Sequence, residues 1–295
     1  NKIQKIDLET RKIIADIYIN KKLKTGEICR KYDIGPDSLY YILRKENVKI
    51  RVRRENFCDL KFFEKIDTQE KAYVLGMFYS DGCNARKEIV LALQKGDFKL
   101  LEKIRILLKS QTPLAMTHNS YRLCICSKKM CKDLISVGCP PKKSLILEFP
   151  GNDIIPDDLL SHFIRGYFDG DGSIYINNKH SLNIEVDIAG SNMFIDGLRD
   201  KVSKLLNIHV QIKKIGNISS VRVAGSRQGI SFLNWLYKNA TICLDRKLEK
   251  YISFINSYKL NLNKNWNICA NKVSTVNLSD FLQKTDETIT TITNI

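Results

Sequence analysis

The chain of 295 residues has no apolar run of about 18 residues, and this excludes a membrane-spanning helix. It has no signal-peptide pattern at its start, so a soluble intracellular protein is expected, in the cytoplasm or in an organelle. Its nine cysteines include no C-x-x-C pair, which sets aside zinc ribbons and fingers. Cys124, Cys126, Cys131 and Cys139 do cluster. Cys124 and Cys126 share one face of an expected strand, so buried, reduced thiols are the simpler reading, with zinc as the rival. There is no N-terminal Cys or Ser of the kind a self-splicing intein needs, and no initiating Met, so a fragment or processed product is expected. Acidic residues are the scarcer charge: 32 against 48 basic ones, a net +16 and a pI near 9.4. That excess favours a polyanionic partner, with a membrane surface the weaker rival.

What the chain does contain is one short pattern written twice. Ala72-Tyr73-Val74-Leu75-Gly76-Met77-Phe78-Tyr79-Ser80-Asp81-Gly82 is matched by His162-Phe163-Ile164-Arg165-Gly166-Tyr167-Phe168-Asp169-Gly170-Asp171-Gly172, 90 positions further on. Each copy reads as a helix closed by Asp-Gly. Gly82 and Gly172 are expected at the left-handed position that terminates many helices. Gly76 and Gly166 lie in the helix interior, where glycine costs about 1 kcal/mol against alanine. They make sense if the two helices cross there with their backbones touching. Asp81 and Asp171 then meet at the negative ends of both macrodipoles, beside a like charge. A divalent cation removes both objections, and oxygen donors few in number suit Mg²⁺. Two carboxylates, metal and a phosphodiester are the parts of an in-line hydrolysis.

The paired segments resemble the LAGLIDADG homing endonucleases, in the form that carries both motifs on one chain. His162–Ser173 matches the motif closely. Ala72–Gly82 is looser, with Tyr79 in place of the motif's first acid and Ser80 in place of its small residue. The resemblance runs from about Phe57 to Lys259. It implies a site-specific double-stranded DNA endonuclease, monomeric with internal pseudo-two-fold symmetry, that promotes the mobility of an intron or similar element. Asp81 and Asp171 would be metal ligands together with the backbone carbonyls of Ser80 and Gly170. Lys143 and Lys247 would stabilise the phosphate, and Gln94 would hold the attacking water. Gly190 stands opposite Gln94 in the second repeat without a side chain, so the two half-sites are expected to be unequal. A group I intron maturase, with intron RNA as partner, and a non-catalytic DNA-binding regulator are the alternatives.

The implied fold is α+β: two αββαββα repeats, 56–150 and 151–260, whose curved sheets face DNA. Strand alternation agrees in the second repeat, where Glu185 and Asp187 alternate with Ile184, Val186 and Ile188, and Gln211 and Lys213 with Val210 and Ile212. Arg222 and, in the first repeat, Arg122 also fall on polar faces able to reach base edges. The first repeat's strand Ile89–Gln94 looks apolar on both faces. Residues 1–55 read as a separate all-α helix-turn-helix unit with fifteen basic and eight acidic residues. Leu8, Ile13, Ile14 and Ile17 are expected inside its first helix, and Leu39, Ile42 and Leu43 inside its third. Ser38, Tyr41, Arg44 and Lys45 would face DNA, and Arg51, Arg53 and Arg54 would lie along phosphates as a basic arm. Residues 261–295 read as a poorly ordered tail.

Overall fold

The computed structural model describes residues 6–20, 23, 25–48, 58–178 and 182–269, with side chains to residue 258. Arg51, Arg53 and Arg54 therefore lie outside the described residues. The chain divides into two compact units, Asn1–Glu55 and Asn56–Ile295.

The first unit holds α1 (Leu8–Ile19), α2 (Thr25–Lys31) and α3 (Pro36–Lys45). Asp7 caps α1 by accepting from the Thr10 amide at 2.8 Å, and Pro36 opens α3 where its missing N–H costs nothing. Ile14, Ile17 and Tyr18 of α1 meet Ile28 of α2 and Leu39, Ile42 and Leu43 of α3 in one small core. Leu8 and Ile13, expected inside, are exposed. The buried stripe of α1 follows positions 14, 17 and 18, and residues 8 and 13 fall off it. Asp33, at φ 46°, supplies the left-handed residue of the turn between α2 and α3.

The second unit repeats one order twice. First come α4 (Gln69–Ser80), β1 (Gly82–Asn84), β2 (Ile89–Gln94), α5 (Phe98–Leu107), β3 (Ala115–Met116), β4 (Ser120–Ile125) and α6 (Lys128–Ser136). Then follow α7 (Leu160–Asp171), β5 (Gly172–Asn177), β6 (Asn183–Ser191), α8 (Asn192–Leu206), β7 (Gln211–Ile215), β8 (Ile218–Ala224) and α9 (Ser226–Tyr237), with α10 (Asp245–Cys269) closing. The αββαββα order expected from the sequence is present in both halves. The short strands β1 and β3 and the long α10 carry too little periodic signal to be read in advance. α10 runs on to Cys269, into the stretch from residue 261 that reads as a poorly ordered tail.

Each half builds an antiparallel four-stranded sheet, ordered β1-β2-β4-β3 and β5-β6-β8-β7. Ile184, Val186 and Ile188 of β6 and Val221 and Val223 of β8 turn toward the helices, in a core continuous with that of the first half. In β2 the helix side is Ile89, Leu91 and Leu93, while Val90, Ala92 and Gln94 form the other face. The apolar appearance of this strand thus comes from one small and one branched residue on its open face, beside Cys124 and Arg122 of β4.

Candidate active site and nucleic-acid interface

α4 and α7 pack in register and in the same direction. A Cβ on Gly76 would overlap the carbonyl oxygen of Phe163, and one on Gly166 would overlap that of Tyr73. The backbones touch at this crossing, which accounts for the two interior glycines. Further along, a Cβ on Gly170 would stand 2.9 Å from Asp81 Oδ2, so the two helix ends arrive together. Gly82 and Gly172 are not left-handed, contrary to expectation: Gly172 is extended at φ −96° and ψ 163°, and Gly82 begins β1. Each helix passes directly into a strand. Here glycine is needed because a Cβ would strike the ring of Phe78 or of Phe168.

Asp81 and Asp171 both stay solvent-accessible at their helix ends. The surrounding protein raises the pKa of each above the ordinary carboxylate value. For Asp81 burial is the main cause, then the charge of Asp171, and together they push it up to about 6 against the pull of Lys143 and Lys247. For Asp171 burial leads, opposed by Lys143, by a hydrogen bond from Tyr167 and by Lys247.

The two lysines are placed differently from the expectation. Lys143 is buried and donates to the Ser80 carbonyl at 2.7 Å. Lys247, also buried, donates to the carbonyls of Phe168, Asp169 (2.9 Å) and Gly172 (2.6 Å). An ammonium has three N–H groups, so Lys247 is fully committed to the end of α7. Both lysines hold the unsatisfied carbonyls that a helix C-terminus leaves, and their positive charge suits that end of the macrodipole. Burial pulls Lys247 down to about 8, which leaves it protonated at neutral pH.

A cleft of about 230 Å³ opens beside Asp81, lined among others by Gln94, Asp97, Gly170 and Arg246. Gln94 stands exposed at the end of β2. Arg246 forms a fork on Asp97, Nε to Oδ1 at 3.1 Å and Nη2 to Oδ2 at 3.3 Å. Its side chain is 50% exposed, while Asp97 is nearly buried. Arg246 carries no mark in the sequence, where only the neighbouring lysine matches a motif. Tyr167 carries none either. That hydroxyl lies 2.9 Å from the Ala189 carbonyl, within hydrogen-bonding reach of Asp171, and fills the space a Cβ on Gly190 would need. A tyrosine of the motif helix thus lies beside Asp171, while Gln94, from a strand end, lines the cleft that opens beside Asp81.

The motif's first acid, Asp169, is fully buried. Its Oδ2 accepts from Tyr73 Oη (2.7 Å) and the Leu244 amide (2.8 Å). In the first half Tyr79 takes this place and donates to the Val137 carbonyl at 2.7 Å. Both residues tie a motif helix to the segment leading to its lysine, so Tyr79 for Asp169 exchanges one tether for another. Arg165 is buried alongside, donating to Ile242 O (3.0 Å) and Leu236 O (2.7 Å) and facing His162 Nδ1 at 2.8 Å.

The open face of the second sheet gathers Glu185, Asp187, Gln211, Lys213 and Arg222. Asp187 lies across from Arg222, and Arg222 from Gln211, in one row. Arg222 is 3.7 Å from Glu185 and 3.9 Å from Asp187. Arg122 is exposed on the corresponding face of the first sheet, across from Ala92 and Ala115. In the first unit Tyr41, Arg44 and Lys45 are exposed on α3, with Lys45 Nζ 5.8 Å from the Tyr41 ring centre, and Ser38 is half-buried. The four clustered cysteines do not gather: Cys131 and Cys139 are buried, whereas Cys124 is half-buried and Cys126 exposed, against the expectation of buried thiols.

Two αββαββα halves, joined by a glycine crossing that pairs an acid from each, define the class. Residues 158–234 match the family model of the LAGLIDADG-like domain. No curated protein matches the sequence. Among solved structures the chain is similar to I-SmaMI bound to an uncleaved DNA target with calcium ions (14% identity, 76% of this chain and 98% of that one, TM-score 0.48). It is also similar to the LAGLIDADG homing endonuclease I-LtrWI bound to target DNA (14%, 79% and 98%, 0.47). A third is I-GzeII in complex with its DNA target (12%, 73% and 96%, 0.48).

Proposed function

We propose that this protein is a site-specific endonuclease of double-stranded DNA that hydrolyses one phosphodiester in each strand and promotes the mobility of an intron or similar element. The observation that carries the reading is the pair Asp81 and Asp171, held together at two helix ends and raised in pKa by their surroundings. Such a pair suits a hard divalent cation, and every donor at it is oxygen. Asp81 and Asp171 would hold Mg²⁺, with the carbonyls of Ser80 and Gly170; the Ser80 oxygen keeps a second lone pair beside its bond from Lys143. Bound there, the cation would polarise the phosphate and lower the pKa of water.

The chain's own groups divide the remaining work. Gln94 and Tyr167 place a polar group beside each acid to orient water. Lys143 and Lys247 set the carbonyls of the helix ends and act on the phosphate only at a distance. Arg246 turns N–H groups toward the cleft and is the cation suited to touch a phosphate in the Asp81 half. The open faces of the sheets, through Arg122, Glu185, Asp187, Gln211, Lys213 and Arg222, read the duplex. The first unit adds contacts through Ser38, Tyr41, Arg44 and Lys45. The protein works as a monomer, since both acids come from one chain.

The test is a linear duplex carrying the rejoined flanks of the reading frame, incubated with Mg²⁺. Double-strand cleavage at one position is expected. Asp171→Asn should abolish it while duplex binding in Ca²⁺ persists. Intact duplex with the wild-type protein, or undiminished cleavage by Asp171→Asn, would overturn the reading.

A further inference from the structure

One cluster on the first sheet has no part in the proposed hydrolysis. Cys124 lies on β4 across from Val90 of β2, and Cys126 follows the same strand two residues on, so both thiols emerge on the open face. Glu88 immediately precedes β2, whose first residue, Ile89, pairs with Ile125. Its carboxylate turns over that face: Glu88 Oε2 is 3.0 Å from Cys124 Sγ and 3.5 Å from Cys126 Sγ. The three donor atoms all lie within 4.8 Å of one another. Ligands around a tetrahedral zinc with its usual bond lengths stand about 3.6–3.8 Å apart, so the side chains need only small rotations to converge. Cys131 and Cys139 are not candidates. Both are buried, and Cys139 Sγ faces the Phe78 carbonyl at 3.5 Å.

We propose that Glu88, Cys124 and Cys126 form a site for a thiophilic divalent cation, with Zn²⁺ as its occupant and water in the fourth position. Two sulfurs and one oxygen select zinc or cadmium over magnesium or calcium. The site is thereby chemically distinct from the all-oxygen pair at Asp81 and Asp171. Cys126 is exposed, which gives the cation an entry path and room for the water. On binding, each thiol gives its proton to solvent as its sulfur–metal bond forms. Two protons leave per cation, no electrons move, and the formal charge of the cluster stays at one negative. Because each sulfur–metal bond displaces a thiol proton, binding should tighten with rising pH. Structurally, the cation would join β4 to the Ala85–Glu88 turn, which Ala85 N closes on the Glu88 carbonyl at 2.9 Å. The tip carrying Arg86 and Lys87 would then be held rigid at the Ile125 end of β4.

The experiment is a Co²⁺ titration of the full chain, kept reduced by a phosphine, read by absorbance. Thiolate-to-cobalt charge transfer and tetrahedral d–d bands should saturate at one equivalent and vanish when Zn²⁺ is added, with two protons released per Zn²⁺ in weak buffer. Cys124→Ser and Cys126→Ser should each remove the charge-transfer band, and Glu88→Gln should weaken binding. Cys83→Ser should leave the spectrum unchanged. Absence of charge transfer at saturating Co²⁺, or bands that persist in the Cys124→Ser/Cys126→Ser double variant, would overturn the proposal. Cys126 is exposed, so its variant reports on the site without risk to the fold.

Discussion

Lys247 and Arg246 are neighbours in sequence and opposites in use. Lys247 spends its three N–H groups on backbone carbonyls, so Lys247→Met strands three acceptors and should cost about 1–3 kcal/mol each where no water replaces it. A large drop in Tm should accompany its loss of activity. Arg246 is half-exposed, and removing it together with its counter-charge, as Arg246→Ala/Asp97→Asn, spares a nearly buried carboxylate. That variant should melt near the wild-type Tm, yet cleave about 100-fold more slowly, the usual effect of losing one charge-stabilising donor. Equal Tm losses in both variants would show that Arg246 is structural. His162 supplies one part of the pH dependence. Burial and the charge of Arg165 pull its pKa down to about 4. A depressed histidine contributes stability that is complete above its unfolded value of about 6.5 and is lost as pH falls through the folded value. The His162 contribution should therefore fall between pH 6.5 and 4, opposed by the raised carboxyl of Asp81, and His162→Gln should remove that contribution in denaturant titrations at stepped pH. None of these distinctions was legible from sequence. A lysine in a motif carries no mark of whether it faces water or a carbonyl, and Arg165 sits on an apolar helix face.

At the scale of elements, the duplicated helix is what the sequence displayed best. Gly76 and Gly166 announced a backbone crossing because glycine inside a helix is otherwise unfavourable, and the crossing is present. Gly76→Ala places a methyl group on the Phe163 carbonyl, and the chain has no flexible side chain there to move aside. We expect a loss of about 3 kcal/mol, the upper end for overpacking, measured by urea denaturation. A loss below about 1 kcal/mol would mean the helices can slide apart cheaply. The alternating strands of the second half were equally legible, since five polar residues faced one way. β1, β3 and α10 were not. Two- and three-residue strands are defined by their partners, and α10 begins in the polar stretch Asp245-Arg246-Lys247, of which only Lys247 is buried, against the end of α7. The Asp-Gly ends misled for a related reason: glycine is required there by a phenylalanine ring one turn back, not by a left-handed backbone.

For the whole molecule, the composition spoke of a polyanion, and under the proposed reading the two units would divide its binding. Residues 1–55 contribute fifteen of the 48 basic residues and form their own core, so their removal leaves the second unit's core untouched. A chain lacking them should retain cleavage but bind duplex DNA more weakly, with a shallower dependence of log Kd on log salt. An unchanged slope would remove the first unit from the DNA interface. The second unit raises a different matter. Its two halves are rigidly spaced by the contact of Gly76 and Gly166, and each half presents one acid. Under the proposed endonuclease reading, the crossing would act as a caliper that sets the stagger between the two cuts before any base is read. Exchanging residues on the open faces of the sheets should redirect the protein to other sequences while every product keeps ends of one length.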